Sequence, residues 1–91
     1  MVAEPTSIVY KITLSPEEGE TFNRKLPSES SIEMFGAAIA EGECNMDICI
    51  YKDEVIINVE LYFRDNMSYA DIKTEMKRII SEIETFLNEP E

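Results

Sequence analysis

The chain has 91 residues, 19 of them acidic and 8 basic, and a formal net charge of -11. A chain of this length holds one hydrophobic core, so we expect a flexible tail over residues 1–7 and a single domain over residues 8–88. The acid excess disfavours unaided nucleic-acid binding, because phosphate backbones repel a negative surface. The start of the chain is polar and the longest apolar runs are only as long as strands, which predicts a cytoplasmic protein without a membrane span.

The first predicted elements are a strand and a short helix. Apolar and more polar residues alternate over residues 8–14, which is typical of a strand with one buried face. The following Ser-Pro-Glu-Glu predicts a helix start, because serine caps, proline suits the first turn and glutamates complement the positive end of the helix dipole. Phe22 and Leu26 share a face of this helix, and Pro27 prevents its smooth continuation.

A second helix is predicted to begin within residues 28–31. Ser30 and Glu33 have the spacing of a capping box, and Gly42 is expected to end the helix. Its apolar face comprises Ile32, Phe35, Ala38 and Ile39. A strand over residues 32–35 is the alternative, although the alanines that follow favour a helix.

Two strands and a long helix are predicted in the second half of the chain. Residues 46–51 and 55–63 both alternate with period two, and Lys52-Asp53 forms the turn between them. The helix opens at Ser68, with Asp71 at capping-box spacing. Its apolar stripe comprises Ile72, Met76, Ile79, Ile80, Ile83, Phe86 and Leu87.

This β-α-α-β-β-α order predicts an α+β fold, in which a three-stranded antiparallel sheet carries helices packed on one face. The strand over residues 55–63 is the most apolar of the three, so we expect it in the centre. The strands near Ile8 and Ile48 then become edges that can pair with another chain.

The sequence also predicts a partner interface. The sheet face away from the helices carries Val9, Cys49, Tyr51, Ile56 and Tyr62, and the last helix has a wider apolar stripe than one small sheet needs to cover. The predicted interface residues are Val9, Tyr51, Ile56, Tyr62, Ile80 and Leu87. Two alternatives remain open. In the first, the apolar residues of the sheet face are scattered surface residues that residues 1–7 partly cover. In the second, the first two helices cover the excess apolar stripe of the last helix.

Residues suited to catalysis are scarce. The chain has no histidine to act as a general base, its three glycines form no phosphate loop, and neither Cys44 nor Cys49 has a base beside it. An extended strand would also hold these two thiols too far apart for a disulfide. The basic cluster of Lys73, Lys77 and Arg78 is explained by pairing with neighbouring glutamates. We therefore expect no enzyme, no cofactor and no metal site.

The element order resembles that of a type I KH domain. The GxxG backbone clamp of that family is missing from residues 17–42 and the charge is unsuitable, so RNA binding of the KH type is not expected.

The chain also resembles the small Pcc-type dimerisation subunit of the KEOPS complex, which makes threonylcarbamoyl-adenosine on tRNA. The similarity lies in residues 8–18, a strand running into Ser-Pro-Glu-Glu, and in residues 55–87, a strand ending in Phe63-Arg64-Asp65 before an amphipathic helix. Relative to that family, residues 27–42 look like an insertion, and the arginine usual near the start of its last helix has no match at Asp71-Ile72-Lys73. The resemblance implies an acidic subunit that pairs with a more basic paralogue.

Together these features predict a non-catalytic interaction or dimerisation subunit of a larger complex, as a homodimer or as a heterodimer with a paralogue. An acidic nucleic-acid mimic is the alternative, which would occupy the binding groove of a DNA- or RNA-binding protein. A plain structural or oligomerisation module is the third hypothesis.

Overall fold

The computed structural model describes residues 1–52, 54–64 and 66–90. Three strands and three helices follow one another in the predicted β-α-α-β-β-α order. In chain order they are β1 (Ser7–Thr13), α1 (Pro16–Lys25), α2 (Glu29–Ala40), β2 (Cys44–Tyr51), β3 (Glu54–Tyr62) and α3 (Tyr69–Asn88). The turn predicted at Lys52-Asp53 and the Phe63-Arg64-Asp65 sequence fall partly outside the described residues, at Asp53 and Asp65.

The sheet is antiparallel throughout and has the strand order β1-β3-β2, as predicted. Ile57 in the middle of β3 lies opposite Ile12 on one side and Ile48 on the other. The most apolar strand is central, as expected. In this position it can bury its alternate residues beneath the helices along its whole length. Pairing begins slightly earlier than expected, since the Phe63 amide donates to the Thr6 carbonyl oxygen at 3.0 Å.

Side-chain caps explain where the helices begin. Ser15 caps α1, as predicted, and the structure adds a capping box between Ser15 and Glu18. Ser68 caps α3 with the predicted capping-box partner, Asp71. The predicted capping pair of α2, Ser30 with Glu33, is wrong. The cap is Ser28, whose side chain accepts a hydrogen bond from the Ser31 amide while the Ser31 hydroxyl accepts one from the Ser28 amide.

The segment 32–35 is helical, so the strand alternative is wrong. The helix ends after Ala40, where Glu41 adopts a left-handed conformation with φ 50° and Gly42 follows with φ 75°. Glycine accommodates a positive φ without strain, so the chain reverses at the residue predicted to end the helix.

The core lies between the sheet and the three helices. Its fully buried residues come from β3, α1 and α3: Val55, Ile57, Val59, Leu61, Phe22, Ile72 and Ile79. Phe22 contacts Phe35 edge to face with ring centroids 5.6 Å apart, and Phe35 lies 4.5 Å from Phe86. The first two helices therefore cover the end of the α3 stripe around Phe86, which was the alternative stated for that stripe.

Candidate protein interaction surfaces

The edge of β1 presents unpaired backbone groups. The Leu14 amide donates to the Val55 carbonyl oxygen at 3.0 Å, and hydrogen-bonded pairs alternate along an antiparallel ladder. Even-numbered residues of β1 therefore bond to β3, whereas the N–H and C=O groups of Ser7, Val9, Lys11 and Thr13 point away from it. Within the described part of the chain, β1 pairs with β3 alone, so this edge can accept another strand.

One flank of α3 borders the edge of β1. The Tyr69 side chain contacts Tyr10, and burial followed by this contact raises the pKa of Tyr10. Further along the helix, Ile80 and Leu87 line a cavity of about 190 Å³ together with residues of β1 and the loop that follows it. Ile80 is 39% exposed, so apolar surface lies beside the unpaired backbone of the strand.

The helix-free face of the sheet is more polar than the sequence alone indicates. Val9 lies opposite Glu60, and Ile56 lies between Thr13 and Cys49. A polar row crosses the sheet between these two positions and comprises Lys11, Asn58 and Asp47. The apolar residues of this face therefore form separate groups rather than one continuous patch.

Tyr62 belongs to a hydrogen-bond network on this face. Its hydroxyl donates to Glu60 Oε1 at 2.7 Å and accepts from Asn45 Nδ2 at 2.8 Å, while Ser7 Oγ donates to Glu60 Oε2 at 3.0 Å. Bonds from Tyr62 and Ser7 lower the pKa of Glu60, and the bond to Glu60 raises the pKa of Tyr62. The network links all three strands, which gives Tyr62 a structural role.

The structure separates the six predicted interface residues. Val9 lies on the helix-free face of β1, whereas Ile80 and Leu87 line the cavity with Ile12, Thr13 and Leu14 on the helix side. Ile56 lies opposite Thr13, towards the other end of the sheet from Val9, and Tyr51, 60% exposed, ends β2 there. Tyr69 was not among the predicted interface residues, although its spacing from Ile80 along α3 placed it on the same flank of the helix.

A second groove runs along the other edge of the sheet, between β2 and α2. It has a volume of about 860 Å³ and is bounded by Ile32, Gly36 and Ala37 of α2 and by Met46 and Ile48 of β2. This groove was not predicted from the sequence. The signal for it is the pair of small residues at 36 and 37, because small side chains leave space beside the helix backbone.

Cys44 and Cys49 lie on opposite faces of β2, since odd- and even-numbered residues of a strand alternate. Burial is the main cause of a raised pKa of the Cys44 thiol, which makes it a poor nucleophile. Across residues 1–52, 54–64 and 66–90, no group of three or more histidine, cysteine, aspartate or glutamate side chains is placed to hold a metal ion. No helix in these ranges has both the length and the apolar character needed to cross a membrane.

Comparison of the chain with protein-family models, with curated proteins and with solved structures found no match.

Proposed function

We propose that the chain is a non-catalytic subunit of a larger cytoplasmic complex, and that it associates with another protein chain through the β1 edge and the adjoining flank of α3. The observation that carries this proposal is the juxtaposition of the outward-pointing backbone groups at Thr13, at the end of β1, with the exposed apolar surface of Ile80. Strand addition to such an edge supplies backbone hydrogen bonds, and the helix flank supplies apolar contact.

Charge also favours this edge. Lys11 projects from β1, and Lys73 lies 4.8 Å from the centroid of the Tyr69 ring on the bordering helix. A chain with a net charge of -11 repels its own copies, and this edge carries the two lysines as well as Glu18 and Glu84, which line the cavity beside Ile80, so the local charge is mixed rather than purely acidic.

The register of β1 permits a two-fold pairing. If two copies pair antiparallel about Tyr10, Val9 of one copy lies opposite Lys11 of the other, and no like charges from these strands meet directly. The result is a six-stranded sheet with the α3 flanks of both copies on one side. A more basic paralogue of the same fold satisfies the same geometry, which agrees with the Pcc-type resemblance of the sequence.

Light scattering coupled to size-exclusion chromatography tests the proposal at about 50 μM protein, where weak dimers populate by mass action. We expect the wild-type chain to be a dimer and the Ile80→Asp variant to be a monomer. Met34→Asp is the matched control, because Met34 is 70% exposed on α2 and lies on another element. Lys11→Pro is the second variant, because it removes an outward N–H that β3 does not use.

A monomeric wild-type chain that pairs with no basic protein co-purified from its native host would contradict the proposal. A chain that instead co-purifies with a DNA- or RNA-binding protein and is displaced by nucleic acid would favour the mimic hypothesis. For a KEOPS-type complex, we expect the co-purified proteins to support threonylcarbamoyl-adenosine formation on tRNA.

A further inference from the structure

We infer that the groove between β2 and α2 binds an extended segment of a basic protein, in which apolar residues alternate with lysine or arginine. This site lies at the opposite edge of the sheet from the proposed dimer surface. It is therefore a separate interaction, and it stands whether or not the chain dimerises through β1.

The backbone of β2 offers a complete ladder for such a segment. Val55 bonds to β1, so its neighbours Glu54 and Ile56 bond to β2, where they lie opposite Tyr51 and Cys49. The intervening residues of β2 then direct their N–H and C=O groups away from the sheet. These residues are Cys44, Met46, Ile48 and Ile50. They span about 20 Å, which matches a segment of about seven residues.

The groove accommodates side chains on the helix side of an added strand. A Cβ built on Gly36 would lie 3.8 Å from Ile48 Cδ1, so α2 packs closely over β2 at this point. Ala37 is exposed beside it and Ile32 forms an apolar wall. Alternate residues of the added strand would contact these small and apolar side chains, which is why the helix-facing residues of the occupant must be apolar.

The charge of the groove specifies the remaining residues of the occupant. Glu29 and Glu33 lie on its helix side and Asp47 on its strand side. Among the described residues that line the groove there is no lysine or arginine. Cationic side chains beside Asp47, and at the ends where they reach the two glutamates, would complement this surface.

The same charges argue against a second copy of the chain in this groove. Antiparallel pairing of two β2 edges would bring both Asp47 side chains and both acidic α2 flanks towards one another. Like charges facing across a strand pair are destabilising, and each chain also carries a net charge of -11.

Fluorescence anisotropy with labelled peptides tests the inference on the full chain. The probe is a peptide of about seven residues in which lysine and valine alternate, and the control replaces every lysine with glutamate. We expect saturable binding of the lysine peptide and none of the glutamate peptide. Methylation of the peptide backbone nitrogens should abolish binding, because the ladder with β2 would lose its donors.

Paired variants of the protein locate the site. Ala37→Phe fills the groove, whereas Ala38→Phe adds the same bulk to an exposed neighbour that does not line it. Glu33→Lys should weaken binding roughly tenfold, whereas Glu20→Lys on α1 makes the same charge change outside the groove. Val9→Asp alters the β1 edge and should leave peptide affinity unchanged, which separates failure of this site from failure of the dimer surface.

Amide exchange provides the direct structural readout. The amides of Met46 and Ile48 should exchange more slowly in the presence of the lysine peptide, because they gain acceptors on the added strand. The inference is overturned by equal affinity for the two peptides, by no binding up to about 1 mM, the weak limit of specific recognition, or by equal effects of Ala37→Phe and Ala38→Phe. It is also overturned if the lysine peptide binds without protecting the two β2 amides.

Discussion

The Arg78 guanidinium on α3 donates a hydrogen bond from Nη2 to the Ile39 carbonyl oxygen near the end of α2, at 3.1 Å. Nη2 also lies 2.6 Å from Glu75 Oε1, and Nη1 lies 3.1 Å from Glu82 Oε2 without hydrogen-bond geometry. One side chain thus joins the two helices and satisfies a carbonyl group that the end of a helix leaves without an intrahelical partner. The contacts with Glu75 raise the pKa of Arg78.

We expect Arg78→Ala to lower the free energy of unfolding by about 1–3 kcal/mol, because it removes a charge-assisted bond to a helix-end carbonyl and leaves Glu75 unpaired. The ion pairs contribute the smaller share, since the arginine side chain is partly exposed and solvent screens them. Arg78→Lys should give an intermediate loss, because lysine keeps the charge without the planar fork. Urea denaturation measures both variants, and equal stability of Arg78→Lys and wild type would contradict the role of the fork.

The period-two pattern predicted the sheet correctly because each strand has one apolar face, and apolar faces settle both strand identity and the choice of central strand. The capping residue of α2 was not predictable in the same way. Ser28 with Ser31 and Ser30 with Glu33 both have capping-box spacing, and in the structure Ser28 is the residue with the extended backbone of an N-cap, whereas Ser30 already lies within the helix.

The sequence pattern of a single strand does not contain all the information that is needed to predict the interface. Alternation places Val9 and Ile56 on the same face, but only cross-strand register shows that a polar row separates them. Similarly, Phe86 belongs to the apolar stripe of α3 by spacing alone, whereas its coverage by Phe35 depends on a helix distant in sequence. Register and interhelical packing are tertiary properties, so a local pattern cannot supply them.

Ile57 and Ile56 form a natural pair for testing the two faces of the sheet. Ile57 is 0% exposed at the centre of the core, whereas Ile56 lies on the helix-free face. We expect Ile57→Ala to cost about 2–5 kcal/mol of unfolding free energy, because it leaves a cavity between sheet and helices. Ile56→Ala should cost clearly less, because no helix packs against it. Thermal and urea unfolding measure both, and equal losses would show that the helix-free face is covered in solution.

The isolated chain should not retain tRNA or duplex DNA in a gel-shift titration at about 150 mM salt. At this ionic strength, like charges that lie close together still repel one another. A surface with a net charge of -11 gains no counterion release from phosphate contacts. The same titration at low salt serves as a control, because a buried basic site would retain nucleic acid strongly at low salt and less strongly as the salt concentration rises. Such retention would contradict the charge argument and revive the comparison with KH domains.

The cap of α3 should make a pH-dependent contribution to stability. The Ser68 amide and hydroxyl both donate to Asp71 Oδ2, at 2.7 and 3.0 Å, and these bonds lower the pKa of Asp71. A carboxylate whose pKa is lower in the folded than in the unfolded chain stabilises the fold above its unfolded pKa, about 3.9 for aspartate, and this stabilisation is lost as the pH falls through the folded pKa. Asp71→Asn removes the charge at every pH, so the stability difference between wild type and variant should be constant from about pH 7 to 5 and shrink below about pH 4.

Ser68→Ala removes the capping hydroxyl and should cost about 1 kcal/mol near neutral pH. Urea titrations of the three proteins between these pH values measure the effect, and a difference that grows as the pH falls below 4 would contradict the sign of the Asp71 pKa shift.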